Sequence, residues 1–121
     1  IPILPSAPPG PPGKRKPRAV RNYYVDNDIP ADYALVATGS NMTGGCIGEG
    51  DLLLIEVCRD FANGNLVIAE VNKKTTVNKY LLINEKTVIL QPLNPSLEPI
   101  LPTDDNSVEI KGIIRAIHKK I

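Results

Sequence analysis

The sequence contains no tryptophan, one phenylalanine and one histidine among its 121 residues. With His118 alone, neither a histidine-based catalytic triad nor a multi-histidine metal site can be assembled within one chain. No apolar run approaches the roughly 20 residues that a membrane-spanning helix needs. No cationic stretch followed by an apolar one opens the chain. These absences predict a protein without a metal, a cofactor, a signal peptide or a membrane anchor.

Cysteine is also scarce. The two cysteines, Cys46 and Cys58, do not have the spacing of metal ligands. We interpret them as reduced thiols of a cytoplasmic protein rather than as a disulfide. Cys46 is disfavoured as a nucleophile because the spacing places no base beside it, and a small buried cysteine is ordinary in a strand-rich domain.

Hydrophobic residues make up 42% of the chain, enough for one small domain, and the charge is unevenly distributed. Residues 1–21 hold five basic residues, no acidic residue and seven of the twelve prolines, whereas residues 22–121 hold nine basic and thirteen acidic residues. Proline removes backbone donors and favours an extended path. We therefore predict a linker over residues 1–21 and one domain over 22–121. The linker is either a solvated tether or an arm that contacts phosphates.

From residue 33 onward, short β-branched runs alternate with turn residues, which is typical of strands. Asn63-Gly64 and the polar stretches 72–74 and 84–86 are turn signals. No heptads or long helical periods are present, so the prediction is an all-β fold. It is a compact, twisted domain of about seven to nine strands with an extended N-terminal arm. The main predicted strands cover residues 33–38, 51–58, 65–71, 75–83, 87–92 and 107–120.

Several segments, in order along the chain, resemble the C-terminal domain of LexA-type repressors, lambdoid phage repressors and the UmuD polymerase accessory protein. "IPILPSAPPGPP" resembles the segment that holds this family's self-cleavage site, and "TGSNM" stands where the family has its nucleophilic serine before a methionine. "GEGDLLLIEV" resembles a strand opening, and "NGNLVIAEVNKKTTVNKYL" the hairpin that delivers the catalytic lysine. "LQPLNPSLEPI" and "VEIKGIIRAIHK" resemble the closing segments that help to form the dimer.

The resemblance implies a LexA C-terminal-domain-like β fold and a serine–lysine self-cleavage site. A lysine buried among apolar side chains loses affinity for its proton. It can then take the proton of the adjacent serine hydroxyl, which attacks a peptide bond of the chain's own N-terminal segment. In LexA-type repressors an activated recombinase filament stimulates this reaction, and cleavage separates DNA binding from dimerisation.

The sequence departs from this pattern at each chemical position. Asn41 stands at the serine position and Asn78 at the lysine position, and Pro9-Gly10 stands where the scissile bond lies. A carboxamide has neither a hydroxyl to deprotonate nor a titratable amine. Proline lacks the amide hydrogen with which an extended substrate pairs with active-site strands. We predict a pseudo-peptidase in which Asn41 and Asn78 form an amide–amide hydrogen bond.

The sequence leaves two alternatives open. A dyad shifted by one residue would use Ser40 and Lys79 and would make the protein an active Ser-Lys self-cleaving peptidase. Strand side chains alternate between faces, so this shift would point each group the opposite way unless two bulges compensated for it. Alternatively, the two asparagines were introduced to trap an uncleaved form, although alanine is the more usual choice.

The resemblance therefore implies a catalytically inactive regulatory and dimerisation domain of a transcriptional repressor of the SOS-response type. The expected partners are a second copy of the chain and DNA, the latter bound through an N-terminal helix-turn-helix domain absent from this chain. Release would need an antirepressor, a ligand or another protease. A UmuD-like polymerase accessory subunit is the remaining alternative. The dimer interface is expected in the last strand, at Val108, Ile110, Ile113, Ile114 and Ile117.

Overall fold

The computed structural model describes residues 1–4, 21–22, 29–102 and 107–121. These residues form eight strands and no helix, so none of the described ranges contains a helix that could span a membrane. The prediction of an all-β fold with seven to nine strands is confirmed. The strands are β1 (Pro2–Leu4), β2 (Arg21–Asn22), β3 (Tyr33–Val36), β4 (Leu52–Glu56), β5 (Leu66–Val71), β6 (Lys74–Asn84), β7 (Thr87–Pro92) and β8 (Val108–His118).

All eight strands belong to one sheet with the order β2-β1-β3-β4-β8-β5-β6-β7. Only the β1–β3 pair is parallel; every other neighbouring pair is antiparallel. The last strand in the sequence, β8, thus lies in the middle of the sheet, between β4 and β5. Its pairing register shifts against each of these neighbours, which marks a β-bulge on either side.

The first strand lies in a segment that the sequence assigns to the linker. Ile3 and Leu4 are 5% and 2% exposed, and they pair in parallel with Ala34 and Leu35 of β3. Pro2 is tolerated because it is the first residue of the strand, where a missing backbone donor does least harm. The linker prediction underestimated the two apolar residues that follow this proline. Pro9 and Gly10, the expected cleavage-site equivalents, lie outside the described residues.

A two-residue turn sets the register of the hairpin that carries Asn78. Asn72 and Lys73 connect β5 to β6 with φ angles of 50° and 68°. Two consecutive residues with positive φ are typical of the type I′ turn, whose twist matches that of the flanking strands. The turn pairs Val71 with Lys74, and the same register then places Val67 opposite Asn78.

The sheet curls around a central core. Side chains from β3, β4, β8, β5 and β6 meet in one cluster, although β3 and β6 are separated by three strands in the sheet order. Two further apolar clusters involve other residues of these strands together with residues of β1 or β7. The one that includes Val67, Ala69, Leu90 and Ile113 is called the outer cluster below. The buried members of the central core are Leu4, Tyr33, Leu35, Ala37, Met42, Ile47, Leu53, Ile55, Ile68, Val77 and Ile114.

Candidate functional site

A tight loop after β3 presents Asn41 and buries its neighbour Met42. Gly39 has a φ of 74°, and its carbonyl accepts hydrogen bonds from the backbone N–H groups of Met42 at 3.2 Å and Thr43 at 3.1 Å. The Thr43 hydroxyl donates to the same carbonyl at 2.9 Å. Met42 is 7% exposed and belongs to the central core. The buried methionine anchors the loop, and Asn41 remains half-buried at its edge.

The loop is fastened directly to β6. The backbone N–H of Val77 donates to the carbonyl oxygen of Asn41 at 2.9 Å. Strand β7 pairs with β6 only from Asn78 onward, where Asn78 lies opposite Pro92. Asn41 therefore contacts β6 just beyond the end of β7. The two asparagines of the predicted degenerate dyad lie in neighbouring segments, with Asn41 bonded to the residue that precedes Asn78.

The side chain of Asn78 is buried with 0% exposure. Its Nδ2 donates to the Thr76 hydroxyl at 2.8 Å, and that hydroxyl donates to the carbonyl of Ala69 at 2.9 Å. The Asn78 Oδ1 atom is buried without a hydrogen-bond partner. The predicted amide–amide bond to Asn41 is therefore wrong. Thr76, two residues earlier on the same face of β6, binds the amide nitrogen instead.

A cleft of about 280 Å³ opens beside Asn41. Asn41 and Met42 line it together with Lys74 and Thr75 of β6, so it follows the strand edge from which Val77 reaches Asn41. Alternation in the β5–β6 hairpin points the peptide groups of Thr75 to the same side as the N–H of Val77. Within the described ranges no strand pairs with this stretch of β6 on that side. The other lining residues are Leu35, Val36, Thr38 and Gly39.

The chemistry available in this cleft is that of a binding groove. Its lining supplies a carboxamide, two threonine hydroxyls and one lysine ammonium, with aliphatic side chains between them. An open strand edge accepts an extended chain through main-chain hydrogen bonds, and the adjacent pockets take alternate side chains. Asn41 and Asn78 can donate and accept hydrogen bonds, but neither can take a proton from a nucleophile near neutral pH.

Both residues of the shifted dyad, Ser40 and Lys79, are exposed. Ser40 accepts a hydrogen bond through its carbonyl from Asn94 Nδ2 at 3.3 Å. Lys79 is on the opposite face of β6 from the buried Asn78, because side chains alternate along a strand. A lysine base is kept neutral by burial. The buried lysine of β8, Lys111, lies at a β-bulge and forms an ion pair with Glu109 at 3.0 Å. It is not among the residues that line the cleft.

Asp51 holds the far end of the loop, and sequence reasoning did not single it out. It is 3% exposed, accepts hydrogen bonds from the backbone N–H groups of Gly48 at 2.8 Å and Lys120 at 2.9 Å, and forms an ion pair with Lys119. Lys119 also donates to the carbonyl of Cys46 at 2.6 Å. The Lys119 side chain, followed by the Lys120 and Gly48 backbone donors, lowers the pKa of Asp51 to about 2. The Gly-Asp pair in "GEGDLLLIEV" was the available signal.

Asn94 supports the loop from the opposite side. Gly44 has a φ of 138°, and a Cβ atom there would lie 2.5 Å from the backbone nitrogen of Asn94 and the backbone carbon of Leu93. Only glycine allows this approach. Because Asn94 also donates to the Ser40 carbonyl, the segment after β7 holds the loop at two points. The position of Asn41 thus depends on β6, on the end of β8 and on residues 93–94.

Neither cysteine is disulfide-bonded, and no group of three or more His, Cys, Asp or Glu side chains suited to a metal occurs among the described residues. Cys46 is exposed at the loop, so its interpretation as a small buried cysteine is wrong. Burial, and secondarily the negative charge of Glu56, raises the pKa of the Cys58 thiol. A raised pKa disfavours the thiolate, which is the nucleophilic form.

The residues expected at a dimer interface divide between two sides of β8. Ile113 and Ile114 are 5% and 8% exposed and belong to the outer cluster and the central core respectively. Ile117 packs against the central core. Val108 and Ile110 are half-buried and pack at the margin of the outer cluster.

Most of the chain matches a known protein family. A family model described as Peptidase S24-like matches residues 14–115. A LexA repressor from Desulfitobacterium hafniense is 34% identical over 88 residues, which cover 71% of this chain and 42% of that protein. A LexA repressor from Glaesserella parasuis is 38% identical over 84 residues, covering 69% and 40%. One from Verminephrobacter eiseniae is 28% identical over 116 residues, covering 93% and 51%. The chain spans about half the length of these relatives or less.

Replacing Asn78 by leucine is expected to stabilise the fold by about 1 kcal/mol. The substitution removes a buried acceptor without a partner, which costs about 1–3 kcal/mol, while the Thr76 hydroxyl keeps its bond to Ala69. Urea denaturation would measure the change. As a control, Thr76→Val should lower the stability, because it leaves the Asn78 amide with no partner. A less stable Asn78→Leu protein would contradict this account of Asn78.

Asp51 is expected to make stability pH-dependent in the acid range. Its folded-state pKa of about 2 lies below the ordinary value of 3.8, so folding favours the ionised carboxylate. Its contribution is fully present above about pH 4 and is lost as the pH falls towards about 2. Asp51→Asn should lower Tm at neutral pH and flatten its decline between these values. The exposed Asp60→Asn variant is the control, and equal acid profiles for the two variants would refute the role of Asp51.

Proposed function

The chain belongs to the Peptidase S24-like family, and we propose that it is a non-cleaving regulatory and dimerisation domain of a LexA-like transcriptional repressor. The observation that carries the proposal is the pair of carboxamides, Asn41 and Asn78, in segments joined by the Val77–Asn41 backbone bond. The scaffold for a two-residue catalytic site is present, and the groups at its centre are inert.

The environment of Asn78 supports this proposal. Its 0% exposure is the kind of burial that would keep a lysine amine neutral. The residue there has no amine, and its nitrogen is engaged by the Thr76 hydroxyl. On the other side, Asn41 has no hydroxyl to attack a carbonyl carbon. Self-cleavage needs both functions at once, so the loss of either is sufficient to abolish it.

The cleft can bind a peptide segment without cleaving it. Its open β6 edge and aliphatic lining suit an extended segment, and the chain's own Pro9-Gly10 region is the expected occupant by resemblance. Proline at position 9 removes one main-chain donor from that pairing. A segment held there would be bound but not cut, so a recombinase filament would have no reaction to stimulate.

DNA binding is proposed to reside in a domain that precedes this chain in the full-length protein. The chain covers 42% of the Desulfitobacterium hafniense LexA repressor and 51% of the Verminephrobacter eiseniae one, which leaves room for such a domain. Two DNA readers held by a dimer can contact half-sites one helical turn apart. Release from DNA would then depend on an antirepressor, a ligand or another protease, in the cytoplasm.

The dimer contact is proposed on the side of β8 that faces the outer cluster, at Val108 and Ile110. These residues are half-buried in the single chain and lie at the margin of that cluster, so a partner can cover what remains exposed. The other three residues expected at the interface pack inside the chain and affect the contact only by fixing the shape of β8. They are Ile113, Ile114 and Ile117.

The intact chain is expected to survive a day at about pH 10, where even an ordinary, solvent-exposed lysine side chain is roughly 30% deprotonated and can act as a base. Intact-mass spectrometry should show no fragment. The variant with Pro9→Ala, Asn41→Ser and Asn78→Lys should gain cleavage within residues 1–21, whereas Pro9→Ala alone should remain intact. Fragments from the unmodified chain that disappear in Ser40→Ala or Lys79→Ala would establish the shifted dyad and end the proposal.

Replacing Val108 and Ile110 together by lysine is expected to weaken dimerisation about tenfold or more, because two desolvated apolar contacts are lost. Sedimentation equilibrium of the chain over a concentration series would measure the change. Ile121→Lys is the matched control, because Ile121 is fully exposed and equally apolar. Identical dissociation constants for the two proteins would place the dimer contact elsewhere.

A further inference from the structure

Residues 37–51, between β3 and β4, form a loop that is closed at its base by two backbone hydrogen bonds. The Ala37 N–H donates to the Asp51 carbonyl at 2.8 Å, and the Gly50 N–H donates to the Ala37 carbonyl at 2.8 Å. This segment is called the closed loop below. It supplies half of the cleft wall, because four of the eight lining residues belong to it. They are Thr38, Gly39, Asn41 and Met42.

The two halves of the closed loop have different supports. The first half, residues 38–43, contains the cleft residues and is bonded to β6 through the Asn41 carbonyl. The second half, residues 44–50, is held by residues that follow β8. Lys119 bridges the Cys46 carbonyl and the Asp51 carboxylate.

The next residue, Lys120, completes this support. Its N–H donates to Asp51 Oδ1 at 2.9 Å. Its side chain lies against Gly50, where an added Cβ atom would be 2.6 Å from the Lys120 Cδ atom. Asp51, Lys119 and Lys120 are together called the clasp. The clasp fixes the half of the loop that does not line the cleft.

One side chain connects the clasped half to the cleft. Glu49 is exposed, and its Oε2 atom accepts a hydrogen bond from the N–H of Gly39 at 2.9 Å. Gly39 lines the cleft, and its carbonyl accepts the N–H groups of Met42 and Thr43. Glu49 therefore joins the clasped half of the loop to the turn that presents Asn41.

Glycines make the closed loop dependent on such external contacts. Gly44 and Gly45 have φ angles of 138° and 52°, and they lie where the two halves meet. Glycine loses more conformational freedom on ordering than any other residue, so a turn built from glycines does not hold one conformation by itself. The clasp opposes this freedom with a carboxylate that is 3% exposed, where a charge pair is screened less than at an open surface.

We propose that Lys119 and Lys120 are positioning residues for the cleft, a role that rests on the proposed function of this cleft as a peptide-binding groove. Neither residue lines the cleft. They act through Asp51 and Glu49, which keep the closed loop in the conformation that accepts an extended segment. Because coupling between two sites is reciprocal, a segment bound in the cleft also tightens the clasp. The Lys119 side chain is 58% exposed, so an acidic partner that draws it away from Asp51 would loosen the cleft without entering it.

Hydrogen exchange of the whole chain at neutral pH tests the clasp independently of any ligand of the cleft. Lys119→Met keeps most of the aliphatic side chain and removes the ammonium group. It should speed exchange at the amides of Thr43 and Val77 by about three- to tenfold, because both amides donate to carbonyls of the first half of the loop. The amide of Leu90, which donates to Ile100 away from the loop, should be unaffected.

Two control variants separate the clasp from a general effect of losing a lysine. Lys119→Arg should restore slow exchange, because a guanidinium group can also pair with the Asp51 carboxylate. Lys86→Met, at an exposed lysine in the β6–β7 turn, should exchange like the unmodified chain. Unchanged exchange at Thr43 and Val77 in the Lys119→Met protein would overturn the proposal.

Self-cleavage provides the functional measurement. In the variant with Pro9→Ala, Asn41→Ser and Asn78→Lys, adding Lys119→Met should lower the cleavage rate by about tenfold, because the attacking group is less well positioned. The rates are compared at about pH 9, where an ordinary lysine is still protonated, and adding Lys119→Arg instead should keep the original rate. An equal rate with Lys119→Met would refute the positioning role. No cleavage in the parent variant would count against the proposed function of the cleft, and the exchange measurement would still decide the clasp.

The connection through Glu49 is tested by combining variants. Glu49→Leu removes the acceptor of the Gly39 N–H and should speed exchange at Val77, whereas Glu49→Gln keeps a side-chain oxygen and should not. Adding Lys119→Met to Glu49→Leu should give no faster exchange than the larger single effect, since both changes break the same connection. Effects that multiply would show that the two residues act separately and would exclude the path through Glu49.

Discussion

The hydrogen bond from the Val77 N–H to the Asn41 carbonyl holds the candidate site together. Besides this bond, the loop after β3 and the hairpin are joined by the packing of Met42 and Val77 in the central core. The bond is made by main-chain atoms, so it does not depend on which side chains stand at positions 41 and 78. A catalytic site built on such a framework can lose its reactive groups and keep its shape. Under the proposed function, that separation would allow a member of a peptidase family to keep this framework around two amides.

Side-chain contacts make this framework rigid. Asp51 ties the loop to the end of β8 through Lys119 and Lys120, and Asn94 holds the Ser40 carbonyl from the other side. Neither support uses the side chain of Asn41 or Asn78. Asn78, by contrast, has a buried oxygen without a partner, which is a local cost. This buried polar atom without a partner is therefore at the position where the resemblance places a catalytic lysine.

Most of the strands were predictable because their pattern is local. Alternating β-branched runs and the turn residues at 72–74 and 84–86 determine β3 to β8 to within a few residues. The strand at Pro2–Leu4 was missed, since its pairing with β3 is a long-range parallel contact that no local pattern reveals. The amide bond between Asn41 and Asn78 was predicted wrongly for a related reason. Thr76 is only two residues from Asn78, and competition from a near neighbour is decided by side-chain geometry that spacing alone does not give.

The central place of the last strand has a consequence for how the chain reaches its native state. During synthesis β3 and β4 can pair early, and β5, β6 and β7 can form a meander, but these two parts share no strand pairing until β8 is inserted between them. The β4–β8 contacts join residues far apart in sequence, which slows folding. Until residues 108–118 arrive, β4 and β5 each expose an unpaired edge to the cell. The nascent protein is thus most vulnerable to misassembly just before its final strand is made.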